Sequence, residues 1–198
     1  MQILRTLLLA LVFVTFSFSA WGDEKKCAGA TSAKTDNGTA KLKGTVDLLG
    51  AVQIVHNTSP DKHAETVIFR NLVAAVGGGK GNPLVDKRVV SLEFALEGSG
   101  QELVVPHILR GYVMKTAKAN PVLLIQAAGH TTLVDLTKYN TEKTELLHTF
   151  HVKVPASGSY HITLVLLADR SLDVPEISCY LGIDTLDFDL MKGKSGEK

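Results

Sequence analysis

Two of the seven histidines in the chain, His151 and His161, stand on the polar faces of segments that alternate like β-strands. Neutral imidazole is a common ligand for transition metals and a common acid or base in catalysis. If the two segments form a hairpin whose turn is near Ser157 and Gly158, the two side chains fall close to cross-strand positions. This spacing allows a two-histidine metal site, or an enzyme in which a carboxylate joins the pair. No third ligand occurs at a recognisable spacing, so solvated surface histidines are the simpler interpretation.

A second group with metal-binding chemistry is the acidic run formed by Asp184, Asp187 and Asp189. Alternation places Asp187 and Asp189 on one face of a strand, with Leu186 and Phe188 on the other. Hard cations such as Ca²⁺ prefer clustered oxygen ligands of this kind. The run lacks the glycine and terminal glutamate of an EF-hand loop. Acids that keep an exposed strand soluble are therefore the favoured interpretation, and no metal is assigned.

Motifs for catalysis or cofactor binding are incomplete elsewhere in the chain. The glycine-rich segment 77–83 lacks the Lys-Ser/Thr ending of a phosphate loop and the third glycine of a dinucleotide fingerprint. Ser99 misses the spacing of a nucleophile elbow by one residue. The sequence therefore predicts no cofactor and favours a protein that binds or scaffolds over one that catalyses.

The two cysteines, Cys27 and Cys179, lie near opposite ends of the chain. An even pair in an exported protein is typical of a disulfide, and we expect these two to be bridged. Lipid modification of Cys27 is disfavoured because the charged residues 24–26 precede it. No C-x-x-C spacing supports redox or zinc chemistry.

The first 22 residues have the pattern of a secretory signal peptide. Arg5 precedes the apolar run 7–14, and Ala20 and Gly22 suit cleavage after Gly22, with cleavage after Ala20 as the alternative. An uncleaved membrane anchor fits less well, because polar residues interrupt the segment 15–19. No later segment approaches the length of a membrane span. The sequence predicts a secreted or periplasmic protein with no integral membrane segment after processing.

The charges of the chain are nearly balanced. Its 198 residues include 21 basic and 20 acidic side chains, which give a formal net charge of +1. Such a chain lacks the positive field with which nucleic-acid-binding proteins attract their ligand. Nucleic acid is therefore not an expected partner, whereas a protein or a carbohydrate is. Glycosylation acceptor patterns begin at Asn37 and Asn57 and matter only in a eukaryotic source.

Turn residues separate about ten short segments in which apolar and polar residues alternate, which predicts an all-β chain. We expect a flexible arm at 23–40, a single domain at 41–191 and a flexible tail at 192–198. The domain should be an antiparallel β-sandwich of jelly-roll or immunoglobulin-like type. A short helix is expected only at 140–147, capped by Asn140 or Thr141. The predicted strands are 41–48, 51–56, 65–76, 88–97, 103–114, 122–127, 131–136, 150–154, 160–166, 177–183 and 186–190.

The clearest alternation, at 88–97, also predicts the core. Its even-numbered apolar residues share one face, as do those of the two segments around Pro155. The predicted core residues are Val90, Leu92, Phe94, Leu96, Val152, Val154, Ile162 and Leu164.

The segment 150–164, in which Pro155 and Gly158 separate two alternating runs, resembles a hairpin of extracellular β-sandwich modules, including carbohydrate-binding jelly rolls. The resemblance indicates no specific family. It implies a sandwich fold and is compatible with a glycan ligand. The single tryptophan, Trp21, lies in the predicted signal peptide, so sugar binding would depend on tyrosines: Tyr112, Tyr139, Tyr160 or Tyr180.

We therefore expect an exported binding or scaffold protein whose ligand is a protein or a glycan. Two alternatives remain open at this point. One is an enzyme whose site is assembled only in the fold from His151, His161 and a carboxylate. The other is a structural subunit of a surface assembly that uses an unpaired strand edge.

Overall fold

A computed structural model of the protein describes residues 33–35, 38–47, 52–58, 64–77, 83–97, 102–155, 157–170, 177–189 and 194–195. The predicted signal peptide, Cys27 and Asn37 lie outside these ranges. The boundaries of the arm, the domain and the tail stay predictions.

The described residues form β-strands and no helix, as the all-β prediction requires. None of them belongs to a helix long and apolar enough to cross a membrane. The strands are β1 (Ala33–Thr35), β2 (Gly38–Asp47), β3 (Gln53–Thr58), β4 (Ala64–Arg70), β5 (Val73–Val76), β6 (Val85–Glu97), β7 (Leu103–Lys115), β8 (Val122–Ala127), β9 (His130–Val134), β10 (Thr144–Val154), β11 (Gly158–Asp169), β12 (Cys179–Asp189) and β13 (Lys194–Ser195).

The strands form two sheets, and the strand pairs within the described part are antiparallel. Sheet A has the order β1-β2-β6-β11-β8-β9. Sheet B has the order β10-β7-β12-β4-β3, with β5 paired to β12 and β13 paired to β7. The expected antiparallel β-sandwich is confirmed.

The core between the sheets contains the apolar side chains that alternation selected. Phe94 is fully buried, with its ring stacked on Tyr160 at 5.1 Å and edge-on to Phe188 at 5.1 Å. The side chain of Leu96 is not described. The other predicted core residues are buried, namely Val90, Leu92, Val152, Val154, Ile162 and Leu164.

The helix predicted at 140–147 is wrong, because β10 begins at Thr144. Leu146 is buried and pairs with Gly111, so the period-two pattern of β10 already operates inside the predicted helix. The Asn140 side chain accepts a hydrogen bond from the backbone N–H of Glu142 at 2.8 Å. The expected cap residue therefore makes a local Asx-type turn in place of a helix N-terminus.

The hairpin predicted around Pro155 is also wrong. β10 pairs with β7 in sheet B, whereas β11 pairs with β6 and β8 in sheet A. Gly158 begins β11 with a φ of 111°, a conformation that side-chain-bearing residues rarely adopt. A strand with one apolar face serves equally well in a hairpin or on one side of a sandwich, so alternation did not distinguish the two arrangements.

In sheet B, a break between β4 and β5 lies beside a register shift in β12. The predicted strand 65–76 is interrupted at Asn71, whose φ is 69°. The Leu72 carbonyl beyond it accepts a hydrogen bond from the Ile183 N–H at 3.0 Å. β12 shifts register between Ile183 and Thr185, which places Asp184 in a bulge. Bulges of this kind redirect side chains at the surface of a sheet.

His107, unlike the exposed His151 and His161, is fully buried. Its ring lies 5.2 Å from Phe150 and 5.4 Å from Phe188, measured between centroids. The Nδ1–H donates to the Val105 carbonyl at 3.0 Å, since a carbonyl oxygen only accepts. The Nε2 atom of the neutral ring then accepts from the Tyr160 hydroxyl at 3.3 Å. Burial lowers the pKa of His107 from 6.5 to about 4.

Candidate functional site

The outer face of sheet B carries a group of polar and aromatic side chains on β7, β12 and β4. On β7, Arg110 and Tyr112 are exposed, while their neighbours Leu109 and Val113 are buried. Arg110 is opposite Thr185 on β12, and Tyr112 is opposite Gly182. Strand alternation therefore directs the arginine and the tyrosine to the same surface.

A hydrogen-bonded network fixes the polar part of this face. The Asp187 carboxylate accepts from the Thr66 hydroxyl at 2.6 Å through Oδ1 and from the Arg110 Nε–H at 3.1 Å through Oδ2. An ion pair at this degree of exposure contributes at most about 1 kcal/mol to stability. The ion pair matters for ligand binding because it holds the Arg110 guanidinium in place. The paired guanidinium keeps several N–H donors for another acceptor.

Two tyrosines, Tyr112 and Tyr180, flank a glycine in the next row of the face. Gly182 on β12 lies opposite Tyr112 in register and two residues from Tyr180. A Cβ atom placed at Gly182 would come within 2.9 Å of the Tyr180 ring. The ring of Tyr180 therefore occupies the space that any other residue at 182 would fill. We call Tyr112 and Tyr180 the tyrosine pair.

The tyrosine pair shares a cation from the chain. The Lys143 ammonium lies 4.5 Å from the centroid of the Tyr112 ring and 5.3 Å from that of Tyr180. Both distances are within the range of cation–π attraction. Lys143 is itself exposed and stands just before β10.

A shallow depression of about 220 Å³ lies beside the Tyr112 ring. Glu145 reaches it from β10, where it pairs with Tyr112, and Asp184 reaches it from the bulge in β12. Its lining residues are Arg110, Gly111, Tyr112, Glu145, Asp184 and Thr185. The depression thus combines an aromatic ring with carboxylates and a guanidinium.

The structure separates the four tyrosines that the sequence offered for sugar binding. Tyr139 and Tyr160 are 7% and 3% exposed and belong to the core. Burial raises the pKa of the Tyr160 hydroxyl, as expected for a group held inside the sandwich. Tyr112 is 38% exposed, and Tyr180 is partly exposed beside it. The two accessible tyrosines are therefore the two that share the outer face of sheet B.

The structure does not bring His151 and His161 together across a hairpin. His151 is exposed on β10 opposite Pro106, and His161 is exposed on β11 opposite Glu93, in the other sheet. The cross-strand approach that motivated the two-histidine hypothesis is therefore missing. In the part of the chain that the structure describes, no three His, Cys, Asp or Glu side chains form a group suited to a metal ion.

The three aspartates of the acidic run have different surroundings. Asp184 is exposed in the bulge, and Asp187 is bound to Arg110 and Thr66. Asp189 is partly buried and pairs in register with Ala64. Alternation along β12 is as expected, since Leu186 and Phe188 are buried. In this structure the Asp187 carboxylate is bound to an arginine and a threonine and not to the other two aspartates.

Cys179 lies on the buried face of β12, where burial raises the pKa of its thiol to about 11. A thiol with so high a pKa is a poor nucleophile at neutral pH. The predicted bridge to Cys27 stays a prediction, because Cys27 is outside the described residues.

Sequence reasoning missed Arg110, Lys143, Glu145, Thr66 and Gly182. Strand alternation within 103–114 puts Arg110 on the same face as Tyr112, so the sequence contained enough information to identify Arg110. The adjacency of β7 to both β10 and β12 is a tertiary property, and without it the other four residues had no reason to be grouped.

Comparison with known proteins adds little to this site. No protein-family model matches the chain, and no curated protein matches it. Among solved structures, one described as "CBM4 structure and function" is similar at 7% sequence identity, over 72% of this chain and 76% of that one, with a TM-score of 0.22. The resemblance that the sequence indicated is likewise weak, local and without a specific family. The functional proposal depends on this chain's own residues.

Proposed function

We propose that the protein is a binding protein for carbohydrate, and that it binds its glycan on the outer face of sheet B. The observation that carries this proposal is the difference in burial among the four tyrosines. Two are core residues, whereas Tyr112 and Tyr180 reach the surface side by side at Gly182. Aromatic rings offer flat apolar area at low entropic cost, which suits the C–H face of a pyranose ring.

The polar residues around the tyrosine pair supply the second requirement of a sugar site. Sugar hydroxyls both donate and accept hydrogen bonds, so they need donors and acceptors at the edge of the stacking surface. Arg110 is a donor already held by Asp187, and Glu145 and Asp184 are acceptors that line the depression. Groups that are fixed before binding lose less entropy when the ligand arrives.

The shape of the face indicates how a glycan would lie. A depression of about 220 Å³ is smaller than typical pockets that enclose a ligand. A ligand on this face would therefore extend across the surface, with one ring over the tyrosine pair and neighbouring sugars along β7 and β12.

We also propose that binding takes place after export, in the periplasm or outside the cell. The support for this is the signal-peptide pattern of residues 1–22.

Calorimetric titration of the processed protein with a panel of 1,4-linked tetrasaccharides, α-linked for galacturonic acid and β-linked for the other sugars, tests the proposal. The panel contains the oligomers of glucose, xylose, mannose, N-acetylglucosamine, glucosamine and galacturonic acid. At least one should bind, and Tyr112→Ala and Tyr180→Ala should each weaken its binding by roughly tenfold, the equivalent of about 1.4 kcal/mol.

The matched control is Leu133→Ala, which truncates a side chain that is 55% exposed on sheet A. Its affinity should equal that of the wild type. A panel without a ligand, or tyrosine variants that bind as well as Leu133→Ala, would refute the proposal.

A further inference from the structure

The tyrosine pair is already occupied by a primary ammonium group, that of Lys143. The ammonium is within 4.5 Å of one ring centroid and 5.3 Å of the other. A sugar that stacks on these rings must take the place of this ammonium. The chemistry of the present occupant therefore indicates what the rings and their surroundings attract.

The charges that remain when Lys143 moves away favour another cation. Arg110 is neutralised by Asp187 at 3.1 Å. Glu145 and Asp184 both line the depression beside Tyr112, and neither forms an ion pair with another residue in the described ranges. Two carboxylates and the negative face of the Tyr112 ring then act on the same depression, and the Tyr180 ring also lies within cation–π range of the Lys143 ammonium.

We infer that the glycan bound here is an amino sugar with a free primary ammonium, and that Lys143 occupies its position in the unliganded protein. This inference rests on the proposed carbohydrate site and names the ligand class of that site. A neutral sugar loses the cation–π attraction when it displaces Lys143. An amino sugar replaces one ammonium with another and keeps that attraction.

Lys143 is by the same reasoning a competitor for the site and lowers the affinity of every sugar. Cation–π contacts at exposed positions correspond to an affinity change of about two- to fivefold. Removal of the Lys143 ammonium should therefore tighten binding by about that factor. Removal of a carboxylate should weaken binding of the amino sugar alone.

The test is titration calorimetry on the processed protein, at a pH where sugar amines are protonated. The three probes are the β-1,4 tetrasaccharides of glucosamine, N-acetylglucosamine and glucose. The variants are Lys143→Met and Glu145→Gln. Their matched controls are Lys138→Met, which removes a similar Lys–Tyr contact at the buried Tyr139, and Glu142→Gln, which removes an exposed carboxylate from the turn just before β10.

We expect the glucosamine oligomer to bind at least about fivefold more tightly than the other two. Lys143→Met should tighten binding of all oligomers that bind, and Glu145→Gln should reduce the preference for glucosamine. Both control variants should behave as the wild type. Equal affinity for the three oligomers would overturn the inference and leave the carbohydrate site standing, as would weaker glucosamine binding by Lys143→Met. Failure of every tetrasaccharide in the wider panel to bind would overturn the carbohydrate site as well.

Discussion

Tyr180 packs its ring over the backbone of Gly182, two residues further along the same strand. A Cβ atom at Gly182 would lie 2.9 Å from the Tyr180 Cε1 atom and 3.0 Å from its hydroxyl oxygen. Real Cβ atoms essentially never come this close to another heavy atom, so the ring depends on the glycine for its place. The aromatic surface of sheet B is therefore specified jointly by a tyrosine and by a residue without a side chain.

Gly182→Ala should reduce glycan affinity by roughly tenfold, because the new methyl group moves the Tyr180 ring away from Tyr112. The free energy of unfolding should change by no more than about 1 kcal/mol, since the far end of a surface side chain can shift at little cost. Calorimetric titration and urea denaturation measure the two quantities. Tyr180→Phe is the control, because it keeps the ring. Wild-type affinity in Gly182→Ala would show that the position of Tyr180 does not matter.

Acid should destabilise the protein through His107. Its folded-state pKa, about 4, is below the ordinary value of 6.5, so its contribution to stability is complete above pH 6.5 and is lost as the pH falls through 4. The shift corresponds to roughly 3 kcal/mol over this window. Urea denaturation at several pH values between 7 and 4 measures the loss.

The contribution of His107 is separated from that of the carboxylates by a variant. His107→Phe with Tyr160→Phe keeps two aromatic rings, removes the titrating group and leaves no hydroxyl unpaired. The double variant should lose less stability than the wild type between pH 6.5 and 4, whereas His161→Gln, at an exposed histidine, should follow the wild type. Identical pH dependence in the double variant would exclude His107 as the cause.

The sequence predicted what depends on alternation within one strand. Val90, Leu92 and Phe94 face the core because residues two apart in a strand share a face. The same rule explains why Arg110 and Tyr112 share one surface, although the sequence analysis did not single out Arg110. The all-β sandwich followed from many such strands separated by turn residues.

The predictions that failed concern which strands are neighbours in the sheets. Val154 and Ile162 were assigned to a hairpin, yet their strands belong to different sheets. The alternation of an amphipathic strand is identical in both cases, so the pattern contained no information on this choice. The candidate site required the neighbours of β7 and the bulge at Asp184, and neither is encoded in a local pattern.

The disulfide between Cys27 and Cys179 remains a prediction with a direct chemical test. Peptide mapping of the processed protein without reduction should yield one cross-linked peptide pair, because both thiols belong to an exported chain. If Cys179 were a free thiol, its raised pKa of about 11 would make alkylation slow in the native state and fast after denaturation. Two alkylated cysteines in the unreduced, denatured protein would contradict the bridge.

Glycan binding to the outer face of sheet B is tested most directly by amide NMR spectra recorded during titration. The probe is the tetrasaccharide of glucosamine, followed by any other oligomer of the panel that binds. We expect the largest shift changes at the amides of Arg110, Tyr112, Gly182 and Thr185, with little change at Thr163 on the outer face of sheet A. Shift changes centred on sheet A, or none at saturating oligosaccharide, would contradict binding at this face.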